Sequence, residues 1–307
     1  MLPLLGSPRA RLAVLAVAAA AMLAGAPQAD AAPVRVHFEA PTLEPLATTR
    51  AVAAPRFVPI ARLRARFAPK PLTPERRKRW RAAVASAKDY ARHRLGRVSF
   101  AVFDDGGGFH GYHAARHYHS ASVVKAMLLV AYLRRREVRN RRLSSSVRAL
   151  LTPMIERSDN SAASRVYSIV GSRGLERVAR LVRMRHFATV PGWSNTLIAA
   201  GDQSRLFFSL DRVLPPRHRG YARHLLRSVV SWQRWGIARA LPDGARAYFK
   251  GGWRPENGAW LVHQAARVER GNRRVALAVL TDGDRSEGYG HETIRGVAAR
   301  VLRGLGG

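Results

Sequence analysis

The sequence predicts an α/β domain in which an antiparallel β-sheet is flanked by helices and carries an all-α subdomain. Three observations lead there. Strand-like residues at 98–103 and 109–112 enclose a glycine-rich turn, alternating apolar stretches flank Gly271-Asn272, and the interval from about residue 121 to 240 carries helix signals. At 307 residues, 47% hydrophobic and 24% charged, the chain can bury one sizeable core.

Taken in order, the first residues read as a targeting segment. Arg9 and Arg11 form a basic start, residues 12–25 (LAVLAVAAAAMLAG) an apolar run, and Ala29-Asp30-Ala31 fits small-x-small cleavage. Residues 1–31 are therefore expected to be a signal peptide and the mature protein to be secreted, outside the cytoplasm. The apolar run is short for a stable span, and a retained anchor is the alternative. Residues 32–72 are rich in Pro, Ala and Arg without clean periodicity and read as a linker, leaving 73–307 as the domain.

Within the domain, Thr73-Pro-Glu supplies an N-cap, a first-turn proline and an acid, and Gly96 supplies the stop of a first helix. Val98 to Phe103 predicts a strand, Asp104 to Gly108 its turn, and Phe109 to Tyr112 the returning strand. A helix opening near Ser120 or Ala121 carries "SVVKAMLLVAYLRRR". Further on, Lys250 ends a short aromatic run and is expected on a sheet strand, with two glycines after it leaving room for a ligand along the strand edge. A hairpin turns at Gly271-Asn272, and "YGHETIRGVAARVL" forms a terminal helix.

The formal net charge of +33 implies attraction to anionic surfaces, with an anionic cell envelope as the partner it suggests. Its arginines are scattered, without zinc-finger spacing or an aromatic RNA-binding signature, so no nucleic-acid role is expected; a merely solvated arginine-rich face is the bland alternative. The absence of cysteine excludes thiol catalysis and thiolate metal sites. His110, His113, His117 and His119 crowd the predicted hairpin, and no acidic partner is evident beside them. They read as exposed or pocket-rim histidines, so neither a metal nor a cofactor is expected, with zinc as the alternative. The chain is expected to be a monomer.

Lysine is scarce here, five residues against 48 arginines, and after Lys88 only Lys125 and Lys250 remain. An arginine cannot give up its proton in a protein whereas a lysine can, so these positions are candidates for amine chemistry. Ser122 stands three residues before Lys125, which places both on one helix face with β carbons about 5–6 Å apart. That suits proton transfer from hydroxyl to amine, directly or through water, helped by an apolar surrounding. Ser158, Asp159 and Asn160 precede another helix, and Lys250 is followed by Gly251 and Gly252.

In this order the three stretches resemble the active-site set of the class A β-lactamases and penicillin-binding D,D-peptidases: Ser-x-x-Lys as Ser122-Val-Val-Lys125, Ser-Asp-Asn as Ser158-Asp159-Asn160, and Lys-[Thr/Ser]-Gly as Lys250-Gly251-Gly252. The resemblance spans residues 73 to 305. It implies a β-lactamase-like fold with no cofactor, and catalytic roles for Ser122, Lys125, Ser158 and Lys250. Ser122 would form an acyl-enzyme with Lys125 as its base, while Ser158, helped by Lys250, would pass a proton to the leaving nitrogen. Lys250 would also favour a substrate carboxylate. Substrate-binding roles fall to Asn160, to Gly252 and to Trp253, whose backbone N–H would complete an oxyanion hole with that of Ser122. Asp159 would fix the loop.

Three departures stand out. Gly251 replaces the usual hydroxyl, the gap from Ser122 to Ser158 is short, and no glutamate occupies the region where class A enzymes activate the deacylating water. Between Asn160 and Lys250 the acids are Glu176, Asp202, Asp211 and Asp243. The expected region holds Ser194 and Asn195, Asp202 reads as a helix cap, and Glu256 could flank the pocket instead. The sequence therefore leads to an exported serine hydrolase acting on a β-lactam or related cell-wall amide. The alternatives are a D,D-peptidase-like penicillin-binding protein acting on peptidoglycan peptides, and a cell-wall-binding module with little turnover.

Overall fold

A computed structural model describes residues 71–306. The expected signal peptide and nearly all of the expected linker lie outside the described residues. Leu72, counted with the linker by composition, is buried in the core.

Helix α1 (Pro74–Arg92) starts as its residues dictate, with Thr73 Oγ1 accepting from Arg76 N. Strand β1 (Arg97–Phe103) pairs with β2 (Phe109–Tyr112) around the turn at Asp104 to Gly108. A two-stranded piece, β3 (Tyr118–His119) with β4 (Leu197–Ile198), brackets the helical subdomain. Between them run α2 (Lys125–Leu133), α3 (Ser145–Glu156) and α4 (Asn160–Leu181), the last kinked at Gly171. Helices α5 (Ala200–Phe208), α6 (Leu210–Val213) and α7 (Arg219–Arg227) follow. The chain then returns to the sheet through β5 (Arg246–Glu256), β6 (Ala259–Arg270) and β7 (Arg273–Asp284), and ends in α8 (Glu287–Val301).

The five-stranded sheet has the order β2-β1-β7-β6-β5, every neighbouring pair antiparallel. One face packs on α1 and α8 through Trp80, Phe100, Phe249 and Ile294; the other packs on the helical subdomain through Met127, Leu151, Phe207 and Leu280. These opposed layers bury both faces. All nine residues of α2 are buried, so this helix runs through the interior with Lys125 at its start. β5 is an edge strand, with one side free of strand partners.

Candidate active site

Ser122 sits on a 3₁₀ turn, Ala121–Val124, that leads into α2. The sequence predicts one continuous helix here; the tighter turn places Ser122 almost directly above Lys125. Ala121 takes a left-handed φ of 42°, an uncommon conformation for a residue with a β carbon. The turn is held from outside, since Ser120 N donates to Thr196 O at 2.9 Å and Ser120 Oγ to Ser194 O at 3.2 Å.

The Lys125 amine is buried and faces three acceptors, Ser158 O, Ser158 Oγ at 3.1 Å and Asn160 Oδ1 at 2.8 Å; as ammonium it donates to all three, as neutral amine to two. The Trp193 ring lies 4.9 Å away. Burial lowers its pKa to about 7, against an opposing pull from Asp159. The expected contact between this amine and Ser122 is not made as a hydrogen bond, and Ser122 Oγ has no partner among the described residues.

Lys250 enters from β5, also buried, and donates to Ser158 Oγ at 3.1 Å and to Gly251 O at 2.9 Å. Its pKa is driven well down by burial and then by the charge of Lys125. Ser158, at a left-handed φ of 60°, thus stands between two amines. When both donate, its two lone pairs are occupied and its own proton is free to be given elsewhere. Asp159 caps α4, accepting from Ala162 N at 2.7 Å, which is the loop-fixing role read from the sequence.

Gly252 permits the closest approach of the site. A β carbon on it would lie 2.6 Å from Ser122 N and 2.7 Å from Val123 N, so only glycine lets β5 run beside the serine turn. Trp253 comes next in the strand, its indole turned toward Trp235 and Trp232.

The structure therefore brings Ser122, Lys125, Ser158, Asn160, Lys250 and Gly252 into one cluster, from three separate stretches of chain. Residues 137–305 match the profile of the beta-lactamase enzyme family, a stretch that contains Ser158, Asn160 and Lys250. The chain belongs to the beta-lactamase enzyme family. No curated protein matches the sequence. Among solved structures it is similar to a beta-lactamase from Sphaerobacter thermophilus (TM-score 0.64, 19% identity, covering 74% of this chain and 98% of that one). It is also similar to PBP-A (TM-score 0.60, 17% identity, 73% and 95% covered) and to a beta-lactamase from Xanthomonas campestris (TM-score 0.60, 19% identity, 74% and 97% covered). These likenesses establish the fold, in agreement with the sheet and helical subdomain read from the sequence.

As a member of the beta-lactamase family the chain holds four of its acids on partners of their own. Asp202 does not cap its own helix, the role its sequence context suggests; both carboxylate oxygens accept from the backbone N–H groups of Arg185 and His186, at 2.7 to 3.1 Å. Glu256 is held by Arg254 at 2.8 Å and by His119 at 2.7 Å, and those two partners keep its carboxyl below the ordinary range although burial pushes the other way. Glu176 accepts from Thr189, and Asp211 is paired with Arg223 and Arg267. None of these four carboxylates contacts Ser122, Lys125, Ser158 or Lys250.

The histidines need one correction. The sequence shows no acidic partner beside them, yet His110 bonds Asp104 at 2.9 Å, and His119 bonds Glu256 from far away in the chain. Among the described residues no three His, Asp or Glu side chains converge as metal ligands.

Sequence reasoning passes over Trp193, Trp232, Trp235 and the Arg254–Asn195 bond of 2.8 Å. The one available signal was "WQRW" at 232–235, two of six tryptophans three residues apart.

Proposed function

We propose that the protein is an exported serine acyl-transfer enzyme that opens a β-lactam or related cell-wall amide through Ser122. The observation that carries this reading is the buried, largely desolvated Lys125 amine one turn from an unpartnered Ser122 hydroxyl, with Ser158 shared between Lys125 and Lys250. Ser122 Oγ attacks the carbonyl carbon as its proton passes to the neutral Lys125 amine, giving a tetrahedral oxyanion beside the backbone N–H of Ser122 and, on the far side of Gly252, that of Trp253. Collapse breaks the C–N bond. The leaving nitrogen takes the Ser158 proton, and the proton held on Lys125 replaces it, so that the amine is neutral again in the acyl-enzyme.

Asn160 Oδ1 is occupied by Lys125, and its amide NH₂, with no partner among the described residues, is placed to donate to a substrate carbonyl. The commitment of Asp202 and Glu256 to other partners favours a second reading for the fate of the acyl-enzyme. Without a general base, whose help is typically worth about 10²- to 10⁴-fold, the ester would persist as in a penicillin-binding D,D-peptidase.

Intact mass of the purified protein mixed with a penicillin tests both. An adduct of one penicillin mass on the wild type and none on Ser122→Ala is expected, with a lifetime long beside its formation. Rapid loss with opened product would select the lactamase reading, and an adduct on Ser122→Ala would remove Ser122 as the nucleophile.

A further inference from the structure

The segment from Val230 to Trp235 runs from the Ser158 loop to β5. Val230 N donates to Glu156 O at 3.1 Å, which pins the start of the segment beside the Ser158 loop. Its end is pinned to β5: a β carbon on Gly251 would stand 2.9 Å from the Trp235 ring, so that ring fills the space a side chain would take. Between these anchors Trp232 meets the Trp253 ring edge-on at 5.9 Å, and Trp253 meets Trp235 in the same manner at 5.8 Å. The three indoles make one wall. Trp235 is buried and stacked on His291 at 4.1 Å, whereas Trp232 is 63% exposed. An indole so exposed, continuous with a buried aromatic layer and in contact with Trp253, the residue that follows Gly252 beside the serine turn, is a binding surface more readily than a packing element.

Several basic groups near this wall are engaged elsewhere. Arg234 donates to the carbonyls of Arg227 and Val229. Arg254 is turned to Glu256 and Asn195, and the Lys250 amine to Ser158 and Gly251 O. His291 is lowered to about 4 by burial and is neutral at pH 7. Gly251 offers no hydroxyl. A carboxylate lying past Gly251 would lose water without gaining a partner from any of these groups. An uncharged ring would bury apolar area and meet edge or face at favourable geometry.

Resting on the acyl-enzyme reading above, the geometry points to Trp232 and Trp253 as specificity-determining residues that hold an uncharged aromatic group on the leaving-group half of the substrate. That half is the one concerned because the wall begins beside Ser158, from which the leaving nitrogen takes its proton.

Acylation rates of benzylpenicillin and its benzyl ester, measured by intact mass at high salt, test this. High salt screens the long-range attraction of anions to so cationic a chain. The ester is expected to acylate about tenfold faster, the size of one good aromatic contact. In Trp232→Ala the ester-to-acid ratio should fall toward one, and in Trp232→Arg it should invert. A faster acid on the wild type, or an unchanged ratio in Trp232→Ala, overturns the inference. A fluorophosphonate probe separates the aromatic specificity from the acyl-enzyme chemistry. Labelling of the wild type but not of Ser122→Ala, together with preference for the acid, removes only the aromatic specificity. No label and no adduct from any compound removes the acyl-enzyme reading and this inference with it.

Discussion

In the proposed mechanism Lys125 acts as a base only when neutral, and burial brings its pKa to about 7, so its deprotonation falls near neutrality. Acylation should therefore rise with pH through about 7 and level off above it, as read from the rate of penicillin adduct formation. Lys125→Arg keeps the positive charge but cannot deprotonate, and a loss of at least about 10²-fold is expected. A rate independent of pH between 6 and 8 would argue for another base. Gly252→Ala tests the close approach: its β carbon would collide with Ser122 N, so acylation should fall while Trp fluorescence and circular dichroism report a folded domain.

At the scale of elements, the loop bearing Trp193 to Asn195 meets the serine turn through the carbonyl of Ser194 and meets β5 through Asn195, which accepts from Arg254. Asn195 is engaged through both ends of its amide, accepting from Arg254 and donating to Pro191 O at 3.1 Å. Ser194 is the better place to add a carboxylate. Ser194→Glu is expected to shorten the adduct lifetime by about tenfold or more without slowing acylation. An unchanged lifetime would show that this loop does not reach the ester. Elements were legible where their signals are local, as at Thr73, at the turn following Phe103 and at Gly271. The alternation over 248–283 predicts a single turn, whereas a second hairpin turns at Asn257-Gly258, with φ of 51° and 74°. Asn-Gly is a strong hairpin signal, but it was masked by the length of the apolar pattern on either side. Lys125 and Lys250 were legible as rare lysines in an arginine-rich chain, and Ser158 through the Ser-Asp-Asn resemblance. The aromatic wall and the His119–Glu256 bond were not, since both depend on contacts between residues distant in sequence.

For the molecule as a whole, the buried Asp284 gives a test of the fold that does not involve the site. Oδ2 accepts from Thr281, Oδ1 has no partner, and burial raises the pKa to about 6. Because the folded carboxyl holds its proton more tightly than the unfolded one, this group lowers stability progressively as pH rises from about 4 to 6, and fully above that. Asp284→Asn should therefore raise Tm at pH 7 relative to the wild type and change it little at pH 4, as measured by calorimetry. Equal shifts at both pH values would mean that packing, not ionisation, governs the position.

The position of β5 at the edge of the sheet exposes the molecule to a second kind of partner. A strand left open for a ligand is equally open to another strand, and an eleven-residue edge is a template for self-association. Arg246 and Pro255 lie exposed near its two ends, and the serine turn covers its middle at Gly252. A charge and a residue without an N–H are what discourage a foreign strand from adding there. The strand edge that would admit a substrate thus carries its own protection against aggregation, and substitutions that flatten or neutralise its ends should cost solubility before they cost activity.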